Sequence, residues 1–423
     1  MLIFMAVLFI ALLVISTPVA IVLLGVTTAT VHFFLPVPLQ AMVQQLFNGM
    51  DNFILLSIPF FILSGTLMAR GSISKKLVGV MQILVGHLPG GMAIASILAC
   101  IFFAAISGSS PATVIAIGSI MIPALIKHGY DEDFSVGLLT ATGSLGILIP
   151  PSIPMVLYAL VMNVSVGKLF MAGIMPGIMI GTILIIYSFI LAKKHNWKTA
   201  PNYAPGEKWQ HIKSASWGIA MPIIILGGIY SGIFTPTEAA AVSVVYALFV
   251  EFFIYKDMNM VKLNQVLKET VTLSSALLFI IACAMTFIWL LTRERLPVIA
   301  ADFIISHIDN KYVFLLVVNI FLLLVGCVMD IVSAVVIISP ILLIALQQYD
   351  IDLIHFGVMM IVNIEFGFLT FPFGLNLFVA MGITGKSLTQ VGRAVLPFLG
   401  LLLIGLMLVT YIPSVSLWLT RVL

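Results

Sequence analysis

An all-α, polytopic membrane protein with two inverted repeats is predicted by three observations: the composition, the spacing of the charges, and a recurring punctuation by glycine and proline. Of 423 residues, 62% are apolar and only 8% charged, against about 25% charged in a soluble globular domain, and the mean hydropathy is +1.23. The stretches from Asp133 to Lys168, Glu269 to Arg293 and Arg393 to Arg421 enclose uncharged runs, longer than the roughly 20 residues that a spanning helix needs. An outer-membrane barrel would alternate over segments of about 10 residues. Continuous runs exclude it and leave a helical bundle, in which each segment satisfies its own backbone groups. The net charge of +3 is scattered at segment ends and offers no nucleic-acid surface. Cys100, Cys283 and Cys327 sit in apolar stretches without paired spacing, so they read as small core residues and not as disulfides or metal ligands.

Residues 1–74 are expected as N-terminal scaffold helices. The start has no basic n-region of a cleaved signal, and residues 1–35 form either one long retained helix or two short ones broken at Pro18. A first repeat covers 75–192, a cytoplasmic linker 193–213, further scaffold helices 214–292, and a second repeat 293–423. The linker is the longest polar cluster, with Asn196, Pro201, Asn202, Pro205 and Gly206. Orientation follows from the positive-inside rule. Simple crossing fails it. The rule is met if Lys75 to His87 and Arg293 to His307 lie in the interface as amphipathic arms and the stretches 92–126 and 312–347 each enter and return on one side. All 19 Lys and Arg except Lys168, Arg293, Arg295, Lys311 and Arg421 then face the cytoplasm. Two re-entrant hairpins of opposite orientation are therefore predicted.

The halves overlay. Placing Pro123 on Pro340 brings Tyr130-Asp131 onto Tyr349-Asp350 with a two-residue insertion, then Gly146 onto Gly367, Pro151 onto Pro372 and Pro176 onto Pro397. Gly167-Lys168 and Gly385-Lys386 mark the same later turn. Inverted repeats with broken helices are the architecture of secondary transporters, whose binding site lies near the midplane between repeats.

At the first hairpin tip, Ser107-Gly108-Ser109-Ser110-Pro111-Ala112-Thr113 interrupts an apolar run. Gly108 permits backbone angles that other residues resist, Pro111 suits a first helical turn, and the hydroxyl oxygens are neutral hard ligands; the alternative is small-residue helix packing. The stretch Thr140 to Ser152 holds Gly143, Gly146 and Pro150-Pro151 at a depth where broken backbone is tolerated only if buried or lining a cavity. Freed carbonyls suit a cation, and the half-helix N-terminus after Pro151 suits an anion; a plain proline kink is the alternative. Asn363 to Asn376 is the second-half equivalent, opposite a hairpin tip at Gly326 to Ser333.

Three carboxylates lie in apolar surroundings, where a charge at a helix centre costs at least ~2.5 kcal/mol. Asp330 reads as an ion ligand or network residue. Glu365 either faces the site or pairs with a backbone group or a cation such as Arg393. Glu238, in Thr235-Pro236-Thr237-Glu238, reads as part of a helix cap. The histidines are dispersed, with no zinc spacing, phosphate loop, Gly-x-Ser-x-Gly or nucleophile-base pair, so no enzyme is expected.

Together these motifs resemble the large membrane subunit of the tripartite ATP-independent periplasmic (TRAP) transporters over nearly the whole chain. They are Ser107-Gly108-Ser109, Gly146-x-x-x-Pro150-Pro151-Ser152, Lys168-Leu169-Phe170-Met171-Ala172-Gly173, the run from Gly232 to Ala239, and Gly326 to Asp330. The resemblance implies a sodium-driven, elevator-type importer of the bacterial inner membrane. Its implied partners are a small four-helix membrane subunit and a periplasmic substrate-binding protein, and sodium is the coupling ion with no cofactor. It implies one sodium between Ser107, Ser109 and Ser110 and the break at Gly143, Gly146 and Pro150. A second lies between Asp330, Ser333 and the break at Gly367 and Thr370. A small carboxylate is expected against Ser109, Thr113, Pro151, Ser152, Asn363, Gly374 and Asn376. Asn363 to Gly367 and Gly374 to Phe378 look most like the C4-dicarboxylate branch, which implies malate, succinate or fumarate. Phe371 departs from that pattern: the family usually has there the first Pro of a second Pro-Pro pair, and bulky Phe373 follows, which puts the substrate in question more than the fold. The rival readings are a sialic-acid or other sugar-acid importer of the same family, and an ion channel or non-transporting structural subunit.

Overall fold

The computed structural model describes residues 1–197, 205–371 and 374–422. Part of the expected linker, and Pro372 and Phe373, lie outside the described residues. Among the described residues every regular element is helical, and eight helices are long and apolar enough to cross a membrane.

The N-terminal stretch is two helices, α1 (Leu2–Val14) and α2 (Val19–Phe34), separated at Pro18, whose ring cannot continue the first. The amphipathic α3 (Leu39–Met50) and α4 (Ser57–Arg70) follow, then the first arm α5 (Ile73–Val85). The first hairpin is α6 (Gly91–Ser107), then α7 (Ser110–Thr113) running through a π turn at Val114–Gly118 into α8 (Ser119–Lys127). Asp131 caps α9 (Glu132–Gly143), which tightens into a 3-10 turn at Ser144–Ile147 and stops; α10 (Ile153–Met162) restarts after Pro150-Pro151. The long α11 (Val166–His195) closes the half.

Three further helices follow: α12 (Pro205–Tyr230), α13 (Pro236–Phe249) and α14 (Met260–Arg293). Glu238 is indeed a cap: it accepts from Thr235 N (2.8 Å) while Thr235 Oγ1 accepts from Glu238 N (3.3 Å), which satisfies two otherwise orphaned donors.

The second half repeats the first. Its elements are an arm α15 (Leu296–His307), a hairpin of α16 (Lys311–Gly326) and α17 (Ile331–Gln348), a broken helix of α18 (Leu353–Gly367) and α19 (Leu375–Thr384), and a closing α20 (Leu388–Tyr411), followed by α21 (Pro413–Val422).

Contacts give the relative directions. Tyr158, midway along α10, donates to the Leu353 carbonyl at the start of α18 (2.6 Å), whereas Ile153 and Pro154 at the start of α10 share a cavity with Glu365 near the end of α18. Lys386, just beyond α19, sits 2.5 Å from Asp133 at the start of α9. The two broken helices therefore run antiparallel with their breaks side by side, the inverted arrangement that a positive-inside layout demands. The long α14 packs against α2, α3 and α4 and against the hairpin helix α17.

A polar joint ties the first arm to the segment after α13. Glu251, fully buried, accepts from Ser72 N and Ile73 N (both 3.1 Å) at the N-terminus of α5. Beside it the Lys262 ammonium and the Ser72 hydroxyl hold the Asp257 carboxyl below its usual range.

Candidate functional site

Both hairpin tips meet the break of their own half. In the first, Gly108 takes left-handed angles (φ 58°) and a Cβ there would stand 2.6 Å from the Pro151 carbonyl oxygen, so only glycine lets the tip touch the break. Ser107 Oγ lies 3.1 Å from Thr113 Oγ1, which donates to the Ser109 carbonyl (2.9 Å). Gly146 of the break backs onto that Ser109 carbonyl, while Gly143 is packed on the Val114 side chain. Ser152 Oγ accepts from Met155 N (3.5 Å) and caps α10.

In the second half the contact is backbone on backbone. A Cβ on Gly367 would lie 2.5 Å from the Gly326 Cα. Asp330 caps α17, accepting from Ser333 N (2.9 Å) and Ser333 Oγ (2.6 Å). Thr370 Oγ1 donates to the Gly367 carbonyl (2.7 Å) and lies 2.7 Å from Cys327 Sγ. One tip is thus closed by hydroxyls and the other by a carboxylate.

The halves are joined at their centre by Glu365. It is fully buried and its Oε1 accepts from Ser110 Oγ of the first hairpin and from Asn376 Nδ2 (2.9 Å) at the start of α19. Asn376 Nδ2 also lies 2.5 Å from Ser110 Oγ. Glu365 faces the site. Arg393, the partner considered from sequence, is exposed and forms none of the ion pairs of the described residues.

A cavity of about 250 Å³ lies at this junction. Gly108 to Pro111 and Asp330 to Val332 line it from the two tips, Ile147, Ile153 and Pro154 from the first break, Glu365, Phe368 and Leu375 from the second, and Leu273, Ala276 and Leu277 from α14. Its polar groups come from the repeats and its hydrocarbon wall partly from the scaffold. A space of this kind, walled by apolar groups with a few convergent polar ones, suits a small organic ligand. The larger groove between α1, α14 and α17 is lined by hydrocarbon alone and offers no such chemistry.

The expected substrate residues divide. Ser109 lines the cavity and Asn376 sits behind it on Glu365 and Ser110. Thr113 is turned into the first tip, and the Asn363 amide donates to the Asn319 carbonyl (3.0 Å) and side chain (2.6 Å) on α16. Gly374 stands at the start of α19 against the Phe368 and Thr370 carbonyls. Phe371 points away: its ring rests on Gly392 of α20 and is not among the cavity walls. Sequence reasoning missed the α14 wall and the Asn319–Asn363 pair. An amide within the apolar run 312–326 was the one signal available for the pair.

Residues 6–415 match the family described as tripartite ATP-independent periplasmic transporter, DctM component. The chain is 45% identical, over 93% of its length and 92% of theirs, to a C4-dicarboxylate TRAP transporter large permease protein of Pseudomonas aeruginosa. It is 40% identical, over 98% of both chains, to the protein of the same description from Rhodobacter capsulatus. In fold it is similar to the YdaH transporter of Alcanivorax borkumensis, whose crystal structure was described as revealing an unusual topology: TM-score 0.67, 14% identity, covering 99% of this chain and 98% of that one.

Proposed function

Since the chain belongs to the family of tripartite ATP-independent periplasmic transporters, DctM component, we propose that it is the inner-membrane subunit of a sodium-driven importer of C4-dicarboxylates. Its partners are a small membrane subunit and a periplasmic binding protein that delivers the acid. The observation that carries the reading is the cavity where both hairpin tips, both helix breaks and α14 meet. An acid seated there lies against half-helix N-termini, whose positive dipole ends favour anions.

Sodium sits in two cages, one of Ser107, Ser109, Ser110 and the carbonyls of the Gly143 to Pro150 break, the other of Asp330, Ser333 and the Gly367 and Thr370 oxygens. These donors are hard oxygens, mostly neutral, which suits an alkali cation. In the low dielectric of the site a bound cation offsets the charge of the acid. A block holding both hairpins carries the site and moves the acid between the two sides of the membrane. The apolar Leu273, Ala276 and Leu277 face then slides past the block without breaking hydrogen bonds.

The test is uptake of radiolabelled malate, succinate, fumarate and sialic acid by the chain reconstituted with its two partners, under sodium and pH gradients imposed separately. Saturable C4-dicarboxylate uptake driven by sodium alone is expected. Uptake driven by pH alone defeats the sodium assignment, and preference for sialic acid defeats the substrate assignment.

A further inference from the structure

We infer a third cation site, shared by the two halves and adjoining the first cage at Ser110, in which Ser110 Oγ, Glu365 Oε2 and Asn376 Oδ1 hold one monovalent alkali ion. It deepens the sodium-coupled reading and rests on it.

The starting point is a buried carboxyl without a cationic partner. Glu365 is 0% exposed, and its hydrogen-bond partners, Ser110 and Asn376, are both neutral. Among the described residues no Lys, Arg or His pairs with it. Buried charges persist only when paired or bound to a metal. The second observation is a surplus of acceptors. Glu365 Oε2 and Asn376 Oδ1 are both buried and neither has a hydrogen-bond partner.

The amide orientation is fixed by its surroundings. Asn376 Nδ2 donates to Glu365 Oε1 and lies 2.5 Å from Ser110 Oγ; turning the amide over would set its oxygen against the carboxylate, two acceptors face to face. Ser110 Oγ donates to Glu365, accepts from Asn376 and keeps one lone pair. The first hairpin and the second broken helix thus bring three groups into mutual contact, each with an oxygen left over for a cation. One formal charge matches a monovalent ion, and no cluster of three or more His, Cys, Asp or Glu capable of holding a metal occurs among the described residues.

The position gives the ion a role. Glu365 and Ser110 line the cavity, where an uncompensated carboxylate repels an incoming dicarboxylate. Filling this site removes the repulsion and ties the two halves together, so the ion binds before the acid.

The test is thermal unfolding of the full chain in lipid nanodiscs, titrated with NaCl against choline chloride at constant ionic strength. Ions that bind only the folded state raise its stability with concentration, and the slope counts them. Glu365→Gln keeps the shape and removes the charge. It is expected to raise the sodium concentration for half-maximal stabilisation by about tenfold, as losing a metal's supporting group does, and to lower the slope by about one. Asn376→Ala is expected to move both in the same direction. Should Glu365→Gln not fold in choline, Glu365→Asp and Asn376→Ala decide by the same criteria. A wild-type slope and midpoint in these variants overturns the third site while leaving sodium coupling intact, and is also the result of a carboxyl that carries only a proton. A wild-type chain with no response to sodium overturns both.

Discussion

The two halves of this chain have the same succession of elements and different chemistry at the same places. The first hairpin tip is closed by Ser107, Thr113 and the Ser109 carbonyl, all neutral. The second is closed by the Asp330 carboxylate on Ser333 and by Cys327 on Thr370. The first arm is pinned at its N-terminus by Glu251, whereas the second arm begins at Arg295 with no side-chain cap. The difference teaches that a repeated backbone sets where the tips and breaks meet, while the side chains of each copy set the chemistry found there.

The sharpest break in the comparison is expected at the glycines, since close approach is the feature that both tips share. Gly367→Ala places a Cβ 2.5 Å from the Gly326 Cα; backbone cannot rotate away, so we expect a loss of about 1–3 kcal/mol in unfolding free energy and no measurable uptake. Gly382→Ala, in the helix just beyond the same break, meets nothing within 4 Å. There the sign reverses, with a gain of about 0.5–1 kcal/mol from the lost flexibility of the unfolded chain. Equal effects in the two variants would remove tip-to-break packing from the account.

The arms come next. Glu251→Ala strands the Ser72 and Ile73 amides at the start of α5, and unsatisfied buried donors cost about 1–3 kcal/mol. Hydrogen exchange should then quicken over Ile73–Val85 and stay unchanged over Leu296–His307, whose first turn has no comparable anchor. Exchange that quickens equally in both arms would show that they are not held differently.

At the proposed ion cages the comparison is between a carboxylate and a hydroxyl. Asparagine caps a helix about as well as aspartate, so Asp330→Asn keeps the bond from Ser333 N while removing the charge and the acceptor oxygen that takes the Ser333 hydroxyl. We expect a rise of about tenfold in the sodium concentration for half-maximal uptake, against about threefold for Ser107→Ala, because contacts to charged groups are roughly twice as strong as neutral ones. A larger effect at Ser107 would reverse the assignment of the charged cage to the second half.

What sequence could and could not supply follows the same division. The hairpins, both breaks and the antiparallel pairing were legible because glycine, proline and Tyr-Asp interrupt apolar runs at matching places, and because charge at segment ends fixes sidedness. Pairings across the halves were not legible. Nothing local to Ser110 indicates that its hydroxyl leaves its own tip for Glu365, 255 residues away in the chain. Asn363 and Glu365 are two apart, so they point to different sides of α18, one to Asn319 and the other to the site. Sequence alone left both open because the phase of an all-apolar helix is set by its neighbours and not by any stripe of its own. Phe371 shows the converse: its position in the motif suggested interference with the ligand, yet the tertiary fold turns its ring to Gly392.

The smallest expected effect concerns the matching lysines after each broken helix. Lys386 reaches across the halves to Asp133 (2.5 Å) and Glu132 (3.4 Å), whereas Lys168 is exposed and forms none of the ion pairs of the described residues. The Asp133 carboxylate holds the Lys386 ammonium above its ordinary value of 10.5. A raised lysine stabilises fully at any pH below that ordinary value and loses its contribution only as pH climbs through the folded one. The two carboxylates are more than half exposed, so water and salt screen the pair, and Lys386→Met should cost no more than about 1 kcal/mol. The cost should be flat from pH 6 to 9, within roughly that same margin, and fall with added salt, while Lys168→Met leaves unfolding unchanged. Thermal unfolding of both variants across pH and salt measures this, and a pH-dependent loss near neutrality for Lys386→Met would mean that the contact is not the ion pair described.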